Sequence, residues 1–142
     1  MIEGLHHVQV SCPAGSEDLL RAFYADVLGM AELPKPPVLA ARGGVWFRRG
    51  TAEIHCGVEE NFQPAGKAHP GLVCTDVHAV AAACVEAGHE VTWDDNFPGF
   101  RRCYVRDPVG NRLELLQRSE FPALPTGCRD RQASPTVCRR SR

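Results

Sequence analysis

One succession of segments occurs twice in this chain, and that repetition constrains the fold more than any other feature of the sequence. Residues 5–11, Leu-His-His-Val-Gln-Val-Ser, alternate apolar and polar side chains and read as a strand. Pro13-Ala14-Gly15-Ser16 breaks the alternation. Ser16, with Glu17 and Asp18 behind it, offers a helix start: a capping hydroxyl and acidic residues at the positive end of the helix dipole. Leu19, Leu20, Phe23, Val27 and Leu28 recur at helical spacing, and Gly29 provides a stop. After residues 30–33 comes a stiff loop, Pro34-Lys35-Pro36-Pro37. Residues 38–41, 44–48 and 52–57 then read as three short strands, with turns at Gly43-Gly44 and Arg49-Gly50-Thr51.

The succession starts again at His69. Residues 69–75 read as a strand, and Asp76 caps a helix marked by Val77, Val80, Ala81, Cys84 and Val85, which stops at Gly88. Residues 90–93, 100–106 and 112–117 read as strands, the last two joined by the turn Asp107-Pro108-Val109-Gly110-Asn111. Histidines occupy matching places, His7 and His69 opening the two units. His55 and Glu114 match in their last strands, 48 and 45 residues further on. Internal duplication is the simplest account. The expected organisation is a first βαβββ module over residues 1–58, a linker over 59–68, a second module over 69–117, and a tail.

The tail, residues 118–142, carries six Arg against two acidic residues, three prolines and no sustained period, and reads as a disordered or loosely attached basic extension. Its charge of +4 offsets −5 over residues 1–117, so the folded part is mildly acidic and gives no argument for nucleic acid as a partner. No apolar run reaches the length of a membrane span, and the first residues lack the pattern of a signal peptide, so a cytoplasmic protein with no membrane partner is expected. Seven cysteines, an odd number without a CxxC pair, read as reduced thiols packed as small hydrophobes.

Four side chains carry chemistry. His7, His55, His69 and Glu114 each stand in a strand-like, largely apolar segment. Glu114 lies in Leu113-Glu114-Leu115-Leu116, where a carboxylate must find a partner: a metal ion, or one of Arg101, Arg102 and Arg112. Imidazole and carboxylate donors on alternate positions of a curved sheet suit a divalent metal. His6 faces away from His7 and reads as an edge residue. His78 and His89 read as solvated.

Several stretches together resemble the vicinal oxygen chelate superfamily, which includes glyoxalase I, extradiol dioxygenases, fosfomycin-resistance enzymes and bleomycin-resistance proteins. They are residues 4–10 (Gly-Leu-His-His-Val-Gln-Val), 22–30 (Ala-Phe-Tyr-Ala-Asp-Val-Leu-Gly-Met), 53–58 (Glu-Ile-His-Cys-Gly-Val), 67–70 (Lys-Ala-His-Pro) and 106–115 (Arg-Asp-Pro-Val-Gly-Asn-Arg-Leu-Glu-Leu). The resemblance spans about residues 4–117 and implies an α+β fold in which two βαβββ modules form a cupped mixed sheet. It places metal ligands on His7, His69 and Glu114. The fourth ligand position of glyoxalase-type members, often a Glu, holds His55 here. The implied cofactor is one divalent ion per site (Zn, Ni, Fe, Mn or Co), and the implied activity is lyase or isomerase chemistry on vicinal oxygens of a small molecule, with Glu114 or a displaced metal-bound hydroxide moving a proton. Arg101, Arg102 and Lys67 are candidates to hold an anionic substrate group. Trp46, Phe47, Trp93 and Tyr104 are candidates to line the cup. Alternatives are an extradiol-type dioxygenase with His55 as acid–base residue, and a metal-free drug-binding protein. A homodimer is expected, with modules pairing either within a chain or across two chains.

Overall fold

In the computed structural model, which describes residues 1–119, the duplication appears as two four-stranded sheets built on one plan. The first contains β1 (Val8–Cys12), β2 (Ala31–Leu33), β3 (Val45–Arg49) and β4 (Ala52–Val58), in the order β1-β4-β3-β2. The second contains β5 (Gly71–Val73), β6 (Val91–Asp94), β7 (Phe100–Arg106) and β8 (Arg112–Arg118), in the order β5-β8-β7-β6. In each sheet the opening strand lies parallel to the closing strand, and the remaining pairs are antiparallel. The expected α+β architecture of two βαβββ modules is what the chain adopts. Arg118 and Ser119 belong to the described residues; the rest of the expected tail lies outside them.

The second strand of module one differs from expectation. Residues 38–41 do not extend; Pro37–Ala40 forms a short helix, α2, and Ala31–Leu33 supplies the strand. Pro37 at the first helical position has the fixed φ that starts a turn of helix and no N–H to lose. The opening strands are also shorter than expected. β1 starts after His7, and β5 starts after Pro70, which has no N–H to give a ladder.

Helix α1 (Glu17–Arg21) runs on into a π-helical stretch, Ala22–Val27, where the Leu28 amide reaches back to the Phe23 carbonyl at 3.0 Å. Leu20, Phe23 and Tyr24, at i, i+3 and i+4, are buried, while Leu19 stays 57% exposed. Ser16 does not cap this helix; its hydroxyl donates to the Pro13 carbonyl at 2.7 Å. Helix α3 (Val77–Glu86) is capped as expected, the Asp76 carboxylate accepting from the Ala79 amide at 3.0 Å.

Each helix covers one face of its own sheet. Val45, Phe47, Ile54 and Cys56 are buried on the helix side of the first sheet; Cys103, Val105, Leu113 and Leu115 are buried on that of the second, and together with the helical side chains they form one core. Phe47 stacks on Tyr24 with ring centroids 5.1 Å apart, so it packs in the core and does not line the cup. His89, expected to be solvated, is half-buried against the edge of Phe23 at 4.7 Å. The described cysteines are unpaired, and four of the five are buried. Cys128 and Cys138 lie outside the described residues. Burial pushes the Cys84 and Cys103 thiols up to about 11.

A polar seam joins the modules inside this core. Tyr24 donates its hydroxyl to Asp107 at 3.0 Å across 83 residues of sequence. Asp107 also accepts from the Val109 amide (3.1 Å), the Asn111 amide (2.8 Å) and the Asn111 side chain (3.0 Å). Asn111 in turn donates to the Ser11 carbonyl at 2.8 Å. One buried carboxylate therefore closes the β7–β8 turn and ties it to the first module.

Candidate functional site

Strand alternation leaves the other face of each sheet clear of its helix, and the four expected donors belong to these two faces. Their positions are equivalent in register. His55 pairs with Gln9 of β1, and Glu114 pairs with Gly71 of β5. His7 and His69 stand two residues before those partners. On the other side Trp46 is opposite His55 and Tyr104 is opposite Glu114.

In module one the His55 ring is sandwiched. Trp46 lies on one side at 3.9 Å with planes 3° apart, and His7 stacks at 3.9 Å and 15°. His55 Nε2 is 2.7 Å from Glu53 Oε1, and a carboxylate can only accept, so Nε2 carries the hydrogen and Nδ1 holds the lone pair. Glu53 takes a second bond from Arg48 Nε at 2.7 Å. The His55 bond, then Arg48, holds the Glu53 carboxyl down at about 2. Burial lowers the His55 pKa, with the Glu53 bond acting in the opposite sense. Residue types alone do not single out Glu53. Its signal is the Glu-x-His spacing, which puts both side chains on one face of a strand.

In module two His69 Nδ1 is 2.6 Å from the Lys67 carbonyl oxygen, which places the hydrogen on Nδ1. Arg112 nitrogens approach the same Nδ1 at 3.1 and 3.3 Å, but an Nδ1 that donates cannot also accept; the shorter contact decides. His69 Nε2 then faces Glu114 Oε2 at 3.4 Å, an ion pair whenever His69 carries both ring protons. Arg102 donates to Glu114 Oε1 at 2.7 Å, so among the three arginines considered for the embedded carboxylate it is Arg102 that pairs. Arg102 also binds Asp94 Oδ1, at 3.0 and 3.2 Å, and its charge is offset twice. Arg101 lies on the opposite face of β7, reaching Asp95 at 3.3 Å and Trp93 at 6.0 Å. The Lys67 side chain is exposed, and its backbone carbonyl is what enters the site.

Among the described residues of one chain, no three His, Cys, Asp or Glu side chains stand where they could hold an ion together. The donors come in two pairs. His69 and Glu114 suit a cation as they stand: two acceptors at 3.4 Å need a proton or an ion between them, and donors each about 2.0–2.2 Å from one metal are spaced comparably. His55 offers Nδ1 with its other nitrogen fixed by a carboxylate, a common outer-shell arrangement for a ligand. His7 is exposed; its ring stacks on His55 at 3.9 Å and lies 2.9 Å from the ring nitrogen of its neighbour His6.

Two βαβββ modules, each with a polar face left open, define the glyoxalase and bleomycin-resistance kind of fold. A family model of the glyoxalase-like domain matches residues 9–116, and the chain belongs to that family. It is similar to the crystal structure of a protein assigned to the glyoxalase family from Bacillus anthracis, with 44% identity, a TM-score of 0.81, and coverage of 84% of this chain and 98% of that one. Two further structures share the fold. The antibiotic-binding protein TnmS3 from Streptomyces sp. CB03234 is 24% identical, with TM-score 0.64 and coverage of 84% and 100%. Lactoylglutathione lyase from Agrobacterium tumefaciens is 22% identical, with TM-score 0.57 and coverage of 77% and 90%. No curated protein matches the chain. Among the described residues no helix is long and apolar enough to cross a membrane.

Proposed function

We propose that the chain is a small metal-dependent enzyme of glyoxalase-like type, acting as a lyase or isomerase on a substrate with two adjacent oxygens. The observation that carries this reading is the His69–Glu114 pair, an imidazole nitrogen and a carboxylate oxygen 3.4 Å apart, with the other imidazole nitrogen held by the Lys67 carbonyl. His7, His55, His69 and Glu114 would hold the ion. One chain supplies them as two separated pairs, so the full set is assembled from module one of one copy and module two of a second, in a homodimer. The open polar faces support that pairing, since each sheet lacks a cover on the side that carries the donors.

A divalent ion held by these residues would supply Lewis-acid chemistry toward two adjacent oxygens. The protein's own part is proton movement and positioning. Arg102 donates to Oε1 of Glu114 and so fixes the orientation of the carboxylate that would move the proton to and from substrate carbon. Glu53 keeps His55 in one tautomer, and Trp46 keeps its ring in one plane.

Metal content of the purified full-length chain tests the proposal, with His7→Ala and Glu114→Ala as the variants. A stoichiometric ion is expected in the wild type and none in either variant, with circular dichroism unchanged. Full occupancy in both variants would overturn it. A second reading, a metal-free small-molecule binder, is favoured by one observation: Arg102 already neutralises Glu114. A wild type that takes up no Zn, Ni, Fe, Mn or Co selects that reading.

A further inference from the structure

The register of the two sheets exposes one place where the modules disagree in charge. In module one, Arg48 stands directly opposite Glu53, two residues from the Trp46–His55 pair, and the two side chains form an ion pair. The equivalent place in module two, two residues from the Tyr104–Glu114 pair, sets Arg106 directly opposite Arg112. Where the first sheet has a carboxylate, the second has a guanidinium. Like charges directly across a ladder destabilise it unless something neutralises them. Among the described residues neither arginine forms an ion pair, whereas Arg102 on the same face has two.

The two guanidiniums are also held in place. Arg106 Nη1 donates to the Gly110 carbonyl at 2.8 Å. Arg112 lies over the Tyr104 ring at 4.7 Å, half-buried, with its remaining contacts at His69 Nδ1 and the Lys67 carbonyl. Both arginines line a cleft of about 590 Å³ with Tyr104, Thr92 and His89. Arg112 also lines a second cleft, of about 400 Å³, that runs past His69 to β1. Two carboxylates border the larger cleft. Asp107 is buried with both oxygens committed to four bonds, and Glu90 forms no ion pair with either arginine.

We infer that Arg106 and Arg112, the latter over Tyr104, bind the oxyanion of a small organic acid, a carboxylate or phosphoryl group, which takes the place that Glu53 fills in module one. A planar, two-pronged oxyanion matches a guanidinium fork. Arg112 is two residues from Glu114 on the same face, so an acid anchored there extends its remaining atoms toward His69 and Glu114. The site itself does not need the metal; only its assignment to the substrate rests on the proposed function.

The test uses the full chain, titrated with inorganic phosphate and separately with acetate, before and after treatment with a chelator, and followed by NMR of the Arg Nε–H groups and the Tyr104 ring. Saturable shifts at Arg106, Arg112 and Tyr104 are expected, and whichever anion binds more tightly identifies the class. Arg112→Gln should weaken binding about tenfold or more. Arg112→Glu should abolish binding and raise Tm, because it restores the pairing seen in module one. Arg42→Gln, an exposed arginine elsewhere, should change neither. Shifts that do not saturate, shifts of equal size at Arg42 and Arg118, or unchanged affinity in Arg112→Gln would overturn the site. Anion binding that appears only with a metal ion present also overturns it and leaves the metal reading intact. Anion binding that persists in a protein that takes up no metal supports the site and removes the metal reading.

Discussion

The two modules share strand order, register and the places of their four donors, yet they stabilise their open faces by opposite means. Module one is self-sufficient: Glu53 satisfies both Arg48 and His55, and a Trp46–His55–His7 stack covers the imidazole. Module two is charged and only partly paired: Arg102 is held by Asp94 and Glu114, while Arg106 and Arg112 face each other. A duplicated backbone thus supports two different electrostatic tasks. The difference lies in side chains at equivalent register positions and leaves the topology untouched.

The strongest way to break the comparison is to cut the seam that makes the modules one body. Asp107→Ala removes four hydrogen bonds and orphans the Tyr24 hydroxyl; denaturant unfolding should show a loss of about 3 kcal/mol or more. Tyr24→Phe removes one of those bonds and should cost about 2 kcal/mol in the same assay. Equal costs for the two would mean that the turn closed by Asp107 contributes nothing of its own.

Acid sharpens the contrast. Glu53 is held at about 2, below its usual 4.5, so the stability it contributes is complete above pH 4.5 and is lost as the pH falls toward 2. Glu53→Gln should be less stable at neutral pH and flatter across that window, as followed by thermal melts. Alkali acts on the buried thiols instead. Cys84 and Cys103 are held near 11 in the folded chain against an ordinary 9.0, so the unfolded chain loses their protons first and stability should decline from pH 9 to 11. Both thiols should resist alkylation at pH 8 until the protein is denatured.

The repeat was legible because glycine stops, apolar spacing and donor positions recur together, and the 48- and 45-residue spacings reflect equivalent register. The second strand was not. Residues 38–41 are apolar enough for either strand or helix, and a short run gives periodicity nothing to arbitrate. Phe47 and Trp46 look alike as cup candidates until alternation assigns one to the core and the other to the open face. The Arg48–Glu53 and Arg106–Arg112 pairs escape a linear reading because their meaning lies in what stands across the ladder. The donor types, and three candidate arginines for Glu114, could be named from sequence; which arginine pairs could not.

The parallel seating of the opening strand against the closing one has a kinetic consequence. Val8 cannot meet Ile54, nor Gly71 meet Glu114, until the whole intervening module exists. Neither sheet can therefore grow outward from its first strand as the chain leaves the ribosome. Such distant pairings slow folding, since the loop must close before any contact rewards it. The first module can complete itself while the second is still being made, and β1 waits until then as an unpaired edge that other chains could capture.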